Sequence, residues 1–66
     1  METLKEIFKE YTTTKQKVDE TITFIMSDEF DKLDKMSKLL IVQKYDSLHN
    51  YEEALKAILI HNNALN

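Results

Sequence analysis

Residues 24–34, Phe24-Ile25-Met26-Ser27-Asp28-Glu29-Phe30-Asp31-Lys32-Leu33-Asp34, hold the break in an otherwise continuous helical pattern. Ser27 offers a hydroxyl to the free amides that follow it, and Asp28 and Glu29 suit the positive end of a helix. Phe30 and Leu33 share a side at i, i+3 spacing, and Asp34 is a second N-cap. This stretch predicts a short helical elbow over 28–33 with a helix on either side.

Upstream, Leu4, Ile7/Phe8, Tyr11, Thr14, Val18, Thr21/Ile22 and Ile25 recur every 3.5 to 3.6 residues, which predicts a helix over about 3–26. Its middle, Thr12-Thr13-Thr14, is β-branched and of modest helix propensity, so this part is expected to be the weakest. Downstream, the heptad Ile41, Leu48, Leu55 predicts a second long helix over about 35–61. The tail Asn62-Asn63-Ala64-Leu65-Asn66 is expected to fray. The sequence contains no glycine and no proline, the residues that punctuate sheets and sharp loops. The fold expected for 1–66 is one all-α domain, an antiparallel helical hairpin.

Size and composition narrow the options. A chain of 66 residues buries too little surface to be robust alone and usually needs a staple or a partner. Without cysteine, disulfides and thiolate metal sites are excluded. The net charge is −3, there is no arginine, and the lysines alternate with acids, as in Asp31, Lys32, Asp34, Lys35. That pattern lacks the clustered basic footprint of a duplex nucleic-acid binder. Leu39-Leu40-Ile41-Val42 is too short to span a bilayer, and the METLKEIFKE opening does not read as a signal peptide. A cytoplasmic protein with no membrane partner is the expectation.

The second helix carries more apolar surface than one neighbour covers. Leu39 to Val42 alone span about 300° at about 100° per residue, and a helix apolar nearly all round is buried on several sides. If the first helix covers Leu40, Leu48, Tyr51, Leu55 and Ile58, then Ile41, Val42, Tyr45 and Leu59 lie on another face. Those four residues are the expected interface of a homo-oligomeric bundle. The competing reading has the elbow residues Phe24, Phe30 and Leu33 fold back over that face.

Few residues suggest chemistry. His49 and Glu53 make an i, i+4 pair with no third ligand, which is better read as a solvated histidine beside an acid than as a metal site. Asp28, Glu29, Asp31 and Asp34 read as caps and solvated charge rather than an acid–base pair, and a calcium loop would need a glycine at its turn. Ser27, Ser37 and Ser47 have no activating histidine at an obvious position. No enzyme activity, cofactor or metal is expected. Lys38, Gln43, Lys44 and Tyr45 form the candidate ligand-binding set, since lysines and an aromatic ring from neighbouring subunits hold a phosphate and stack a base. The plainer reading puts Tyr45 in an interface and lets the lysine stems lie along apolar surface.

The elbow Phe24-Ile25-Met26-Ser27-Asp28-Glu29-Phe30-Asp31-Lys32-Leu33, then Leu39-Leu40-Ile41-Val42-Gln43, then Tyr51, Leu55 and Ile58 resemble a family of small tailed-phage accessory proteins of mostly unassigned function. That family often has methionine where Leu48 stands and arginine-isoleucine near Leu59-Ile60, so no role carries over for that arginine. The resemblance implies a phage origin and a helical hairpin, and supplies no activity. The resulting expectation is a non-catalytic protein of the host-cell cytoplasm that acts by stoichiometric binding. Its partner would be a nucleotide messenger of host defence or a host protein, and the alternative is a structural or assembly module of a phage or host complex.

Overall fold

A computed structural model describes residues 3–65 and shows three helices, α1 (Leu4–Ile25), α2 (Asp28–Asp31) and α3 (Lys35–His61). The long helices α1 and α3 pack against each other as a hairpin, and no strand occurs among the described residues. The molecule is a rod of 43 × 17 × 16 Å with a radius of gyration of 14.4 Å. A compact chain of this length would have a radius near 11 Å. The rod is one helix pair thick, so every residue away from the shared seam meets solvent.

Each helix start is capped by a side chain, and two of the caps, Ser27 and Asp34, are those the sequence suggests. The Thr3 hydroxyl accepts from the Glu6 amide at 3.2 Å and donates to the Glu6 carboxylate at 3.1 Å, an N-cap with Glu6 in the first turn at the positive helix end. Ser27 caps α2 by accepting from the Phe30 amide at 3.3 Å. Asp34 caps α3, accepting from both the amide and the hydroxyl of Ser37. The elbow helix is shorter than expected, because Lys32 and Leu33 bond back to Glu29 and Phe30 in a tight closing turn. The threonine-rich middle of α1 stays helical, with the exposed Thr12 and Thr13 hydroxyls donating to the carbonyls of Phe8 and Lys9.

Asp34 supplies a pH-dependent element. Hydrogen bonds from the Ser37 hydroxyl, then from the Ser37 amide, hold its carboxyl below the ordinary carboxylate value. A depressed folded value means that the cap's contribution is present above the unfolded value and lost as pH falls through the folded one. Thermal melts followed by circular dichroism are therefore expected to show an acid-side loss of stability that shrinks in Asp34→Asn. Asparagine still caps the helix but does not titrate. An unchanged acid slope in that variant would remove Asp34 from the account.

The C-terminus differs from the expected fraying tail. Asn63 adopts a left-handed conformation with φ of 57°. The Ala64 amide bonds the Leu59 carbonyl at 2.8 Å and the Asn63 amide bonds that of Ile60 at 3.0 Å. This is a Schellman cap with asparagine in the position that glycine usually takes. It turns the chain so that Leu65 packs back on the core with Ile7; Asn66 lies outside the described residues.

The core is small: Tyr11 and Val18 from α1, Leu55 and Leu59 from α3, with Thr14 buried beside them. This corrects the expected facing of α3. Leu59, assigned to an outer interface, is 0% exposed, whereas Leu40, Tyr51 and Ile58, assigned to the seam, are 54%, 48% and 42% exposed. The physical reason is the repeat length. On α1 the residues Leu4, Ile7, Tyr11, Thr14, Val18, Thr21 and Ile25 alternate steps of three and four, a strict 3.5-residue period. On α3 only Ile41, Tyr45, Leu48, Glu52, Leu55 and Leu59 do the same. Two helices stay in contact along their length only when their stripes share one period, and 3.5 residues gives a left-handed pair.

Candidate binding surface

With the 3.5-residue stripe turned inward, α3 presents a second apolar stripe to solvent. Met36, Leu40, Gln43, Ser47, Tyr51, Ala54 and Ile58 are all exposed and none is charged. The pattern repeats after eleven residues, from Met36 to Ser47 to Ile58, a period of about 3.67 that runs nearly straight along a helix. At about 100° per residue the seven positions stay within about 80° of circumference, centred roughly 110° from the side packed on α1. Met36 is 60% exposed. The exposed apolar side chains of α3 thus outnumber its two buried ones. Exposed apolar surface of this kind makes the stripe the candidate binding surface.

The elbow does not cover this surface. Phe24 and Phe30 meet edge to face at 6.2 Å, and Lys38 Nζ lies 5.9 Å from the Phe30 ring centroid. That cluster closes the end of the hairpin and leaves Leu39, Leu40 and Val42 open. Beside it, a shallow groove of about 510 Å³ is lined by Lys35, Met36, Lys38, Leu39 and Val42, where the lysine stems extend the apolar floor.

The candidate ligand residues are spread around α3 within one chain. Lys44 is exposed and opens onto one side of the α1–α3 seam with Glu20, Thr21, Phe24 and Ile41. Tyr45 is half-buried and stacks on His49, with ring centroids 6.0 Å apart. Lys38 is half-buried and, seven residues before Tyr45, lies on nearly the same side of the helix. At about 100° per residue Lys44 and Lys38 flank opposite sides of the stripe that faces α1, with Tyr45 at the edge of that stripe on the Lys38 side, and Gln43 belongs to the outward stripe. A phosphate held by both lysines would need one of them from a second copy.

Of the expected interface residues, Val42 is exposed, Ile41 and Tyr45 are half-buried in the hairpin seam, and Leu59 is sealed within its own chain. Leu59 is thereby unavailable to a partner. The residues missed in sequence are Met36, Leu40, Ser47, Tyr51, Ala54 and Ile58, and their signal is the charge-free eleven-residue spacing. His49 Nε2 lies 3.9 Å from a Glu53 carboxylate oxygen with both side chains exposed. Among the described residues no group of three or more His, Cys, Asp or Glu is placed to hold a metal ion. Nor is any described helix long and apolar enough to cross a membrane.

Comparison with family models, curated proteins and solved structures finds no match to this chain.

Proposed function

We propose that this chain is a non-catalytic accessory protein of the small tailed-phage type, acting in the host cytoplasm by stoichiometric binding as a homo-oligomer. The observation that carries the reading is the uncharged outward stripe of α3, in which Met36, Leu40, Tyr51 and Ile58 stay between 42% and 60% exposed. A hairpin whose interior holds four buried apolar residues gains most by covering such a stripe with a partner. The phage assignment is supported by the elbow pattern alone.

The target proposed for the assembled protein is a nucleotide messenger of host defence, held where subunits bring Lys44 of one chain to Lys38 and Tyr45 of another. Lysine supplies charge for a phosphate, and an aromatic face stacks a base. Native mass spectrometry of protein purified gently from a bacterial host tests this. The expected result is an oligomer with an adduct of a few hundred daltons that is absent from a Lys38→Ala/Lys44→Ala variant of the same stoichiometry. A clean oligomer that gives no heat on titration with a panel of cyclic nucleotides would move the target to a host protein. Co-purification with virion components would favour an assembly module instead.

A further inference from the structure

We infer that two copies pair antiparallel along the outward stripe of α3, with a two-fold axis at Ser47. The inference rests on the self-association reading above and adds a surface, a direction and a register to it. Lys38 and Tyr45 lie on the opposite side of α3 from this seam, so the nucleotide pocket belongs to a separate contact between pairs. Its basis is that the stripe is its own complement when reversed about Ser47. Met36 and Ile58 stand eleven residues either side of Ser47, Leu40 and Ala54 seven, and Gln43 and Tyr51 four.

An antiparallel pair stacks these positions in layers. Leu40 then meets the partner's Ala54, a large side chain over a small one, and Met36 meets the partner's Ile58. Gln43 shares a layer with the partner's Tyr51, where amide and phenol are mutual hydrogen-bond partners. Ser47 meets itself, so the smallest pairing sits at the axis. The Leu40–Ala54 layers set a large side chain over a small one, so that no layer pairs alanine with alanine or tyrosine with tyrosine, and only the axial Ser47 layer is thin.

Parallel pairing has no such match. It would set Tyr51 on Tyr51 and Ala54 on Ala54, bulging at one layer and leaving a gap at the next. Charge agrees with the antiparallel choice only in being absent: no Asp, Glu or Lys lies on the seven positions, so the seam itself sets no charged side chain against an apolar one. The stripe is about 33 Å long at 1.5 Å per residue. A single seam of that size falls at the weak end of specific interfaces, under about 1,200 Å² in total, so the pair is expected to dissociate on dilution.

The chain has no cysteine, so introduced thiols report the geometry without interference. Helices 8–10 Å apart with Cα radii of about 2.3 Å leave facing Cα atoms roughly 3–5 Å apart, which overlaps the disulfide range. Ser47→Cys is expected to form a covalent dimer on mild oxidation. Leu40→Cys and Ala54→Cys are expected to cross-link when mixed, and Leu40→Cys not to link to itself, since its own copy lies about 21 Å away along the axis. All three positions are exposed, and circular dichroism of the reduced proteins checks that the hairpin is intact.

Self-linking of Leu40→Cys and of Ala54→Cys, each alone, would establish parallel pairing and overturn the inference. A dimer seen by sedimentation that yields none of these cross-links would place the interface elsewhere and leave the self-association reading standing. A chain that sediments as a monomer at several hundred micromolar would overturn both.

Discussion

Leu59→Ala is expected to leave the protein largely unfolded at 25 °C, whereas Ile58→Ala, one residue earlier, is expected to leave it folded. Leu59 is 0% exposed and joins Tyr11 and Leu55 in the central cluster. Truncating a buried leucine costs about 2–5 kcal/mol, because the transfer energy of the lost methyls adds to that of the cavity left behind. A chain of this size has only ~3–10 kcal/mol in all, at about 0.05–0.15 kcal/mol per residue. The loss is therefore comparable to the total. Ile58 lies about 100° round the helix and is half in water already, so its truncation in a lone chain is expected to cost under about 1 kcal/mol. Urea denaturation at low protein concentration separates the two, and equal midpoints would show that α3 does not face α1 as described.

That one-residue contrast also shows where sequence reading stopped. The elements themselves were legible. Ser27 and Asp34 mark their helix starts by side-chain chemistry alone, and a chain without glycine or proline has few other ways to fold. The facing of α3 was not, because that helix carries two stripes that share its length. Leu48 and Leu55 fit the seam in either assignment, so they do not discriminate. Only the period does: 3.5 residues for Ile41 to Leu59, matching α1, against about 3.67 for Met36 to Ile58. The C-terminal cap escaped for a different reason, since Asn63 fills a left-handed position usually signalled by glycine.

The same rotation explains the candidate site. Lys38, Gln43, Lys44 and Tyr45 stand out by residue type, but type says nothing about azimuth until the buried side is fixed. An error of one residue moves a side chain about 100°. Once Ile41 and Leu48 turn inward, Lys44 and Lys38 fall on opposite sides of the seam, with Tyr45 at its edge beside Lys38. Within one chain these residues do not converge, so the pocket proposed above stands only as one between subunits, as the sequence reading has it.

A Leu40→Glu/Ile58→Glu double variant is expected to stay a helical hairpin and to lose self-association altogether. Both side chains are about half exposed in a single chain, so a carboxylate there reaches water and leaves the Tyr11–Leu55–Leu59 cluster untouched. Across the paired stripe each glutamate would instead face an apolar partner and be desolvated without a counter-charge, which costs several kcal/mol per group. The consequence extends to stability. A partner that binds only the folded state stabilises it by about 2.7 kcal/mol at a hundred times the dissociation constant. At roughly 4–8 °C per kcal/mol for a domain of this size, that is a rise of roughly 10–20 °C in Tm for the parent chain. Melting temperatures measured from about one to several hundred micromolar should therefore climb for the parent and stay flat for the variant, with sedimentation velocity reporting a monomer throughout. A variant that still assembles would show that α3 self-associates through some other face. One that unfolds at every concentration would show that the stripe supports the single hairpin rather than the contact between hairpins.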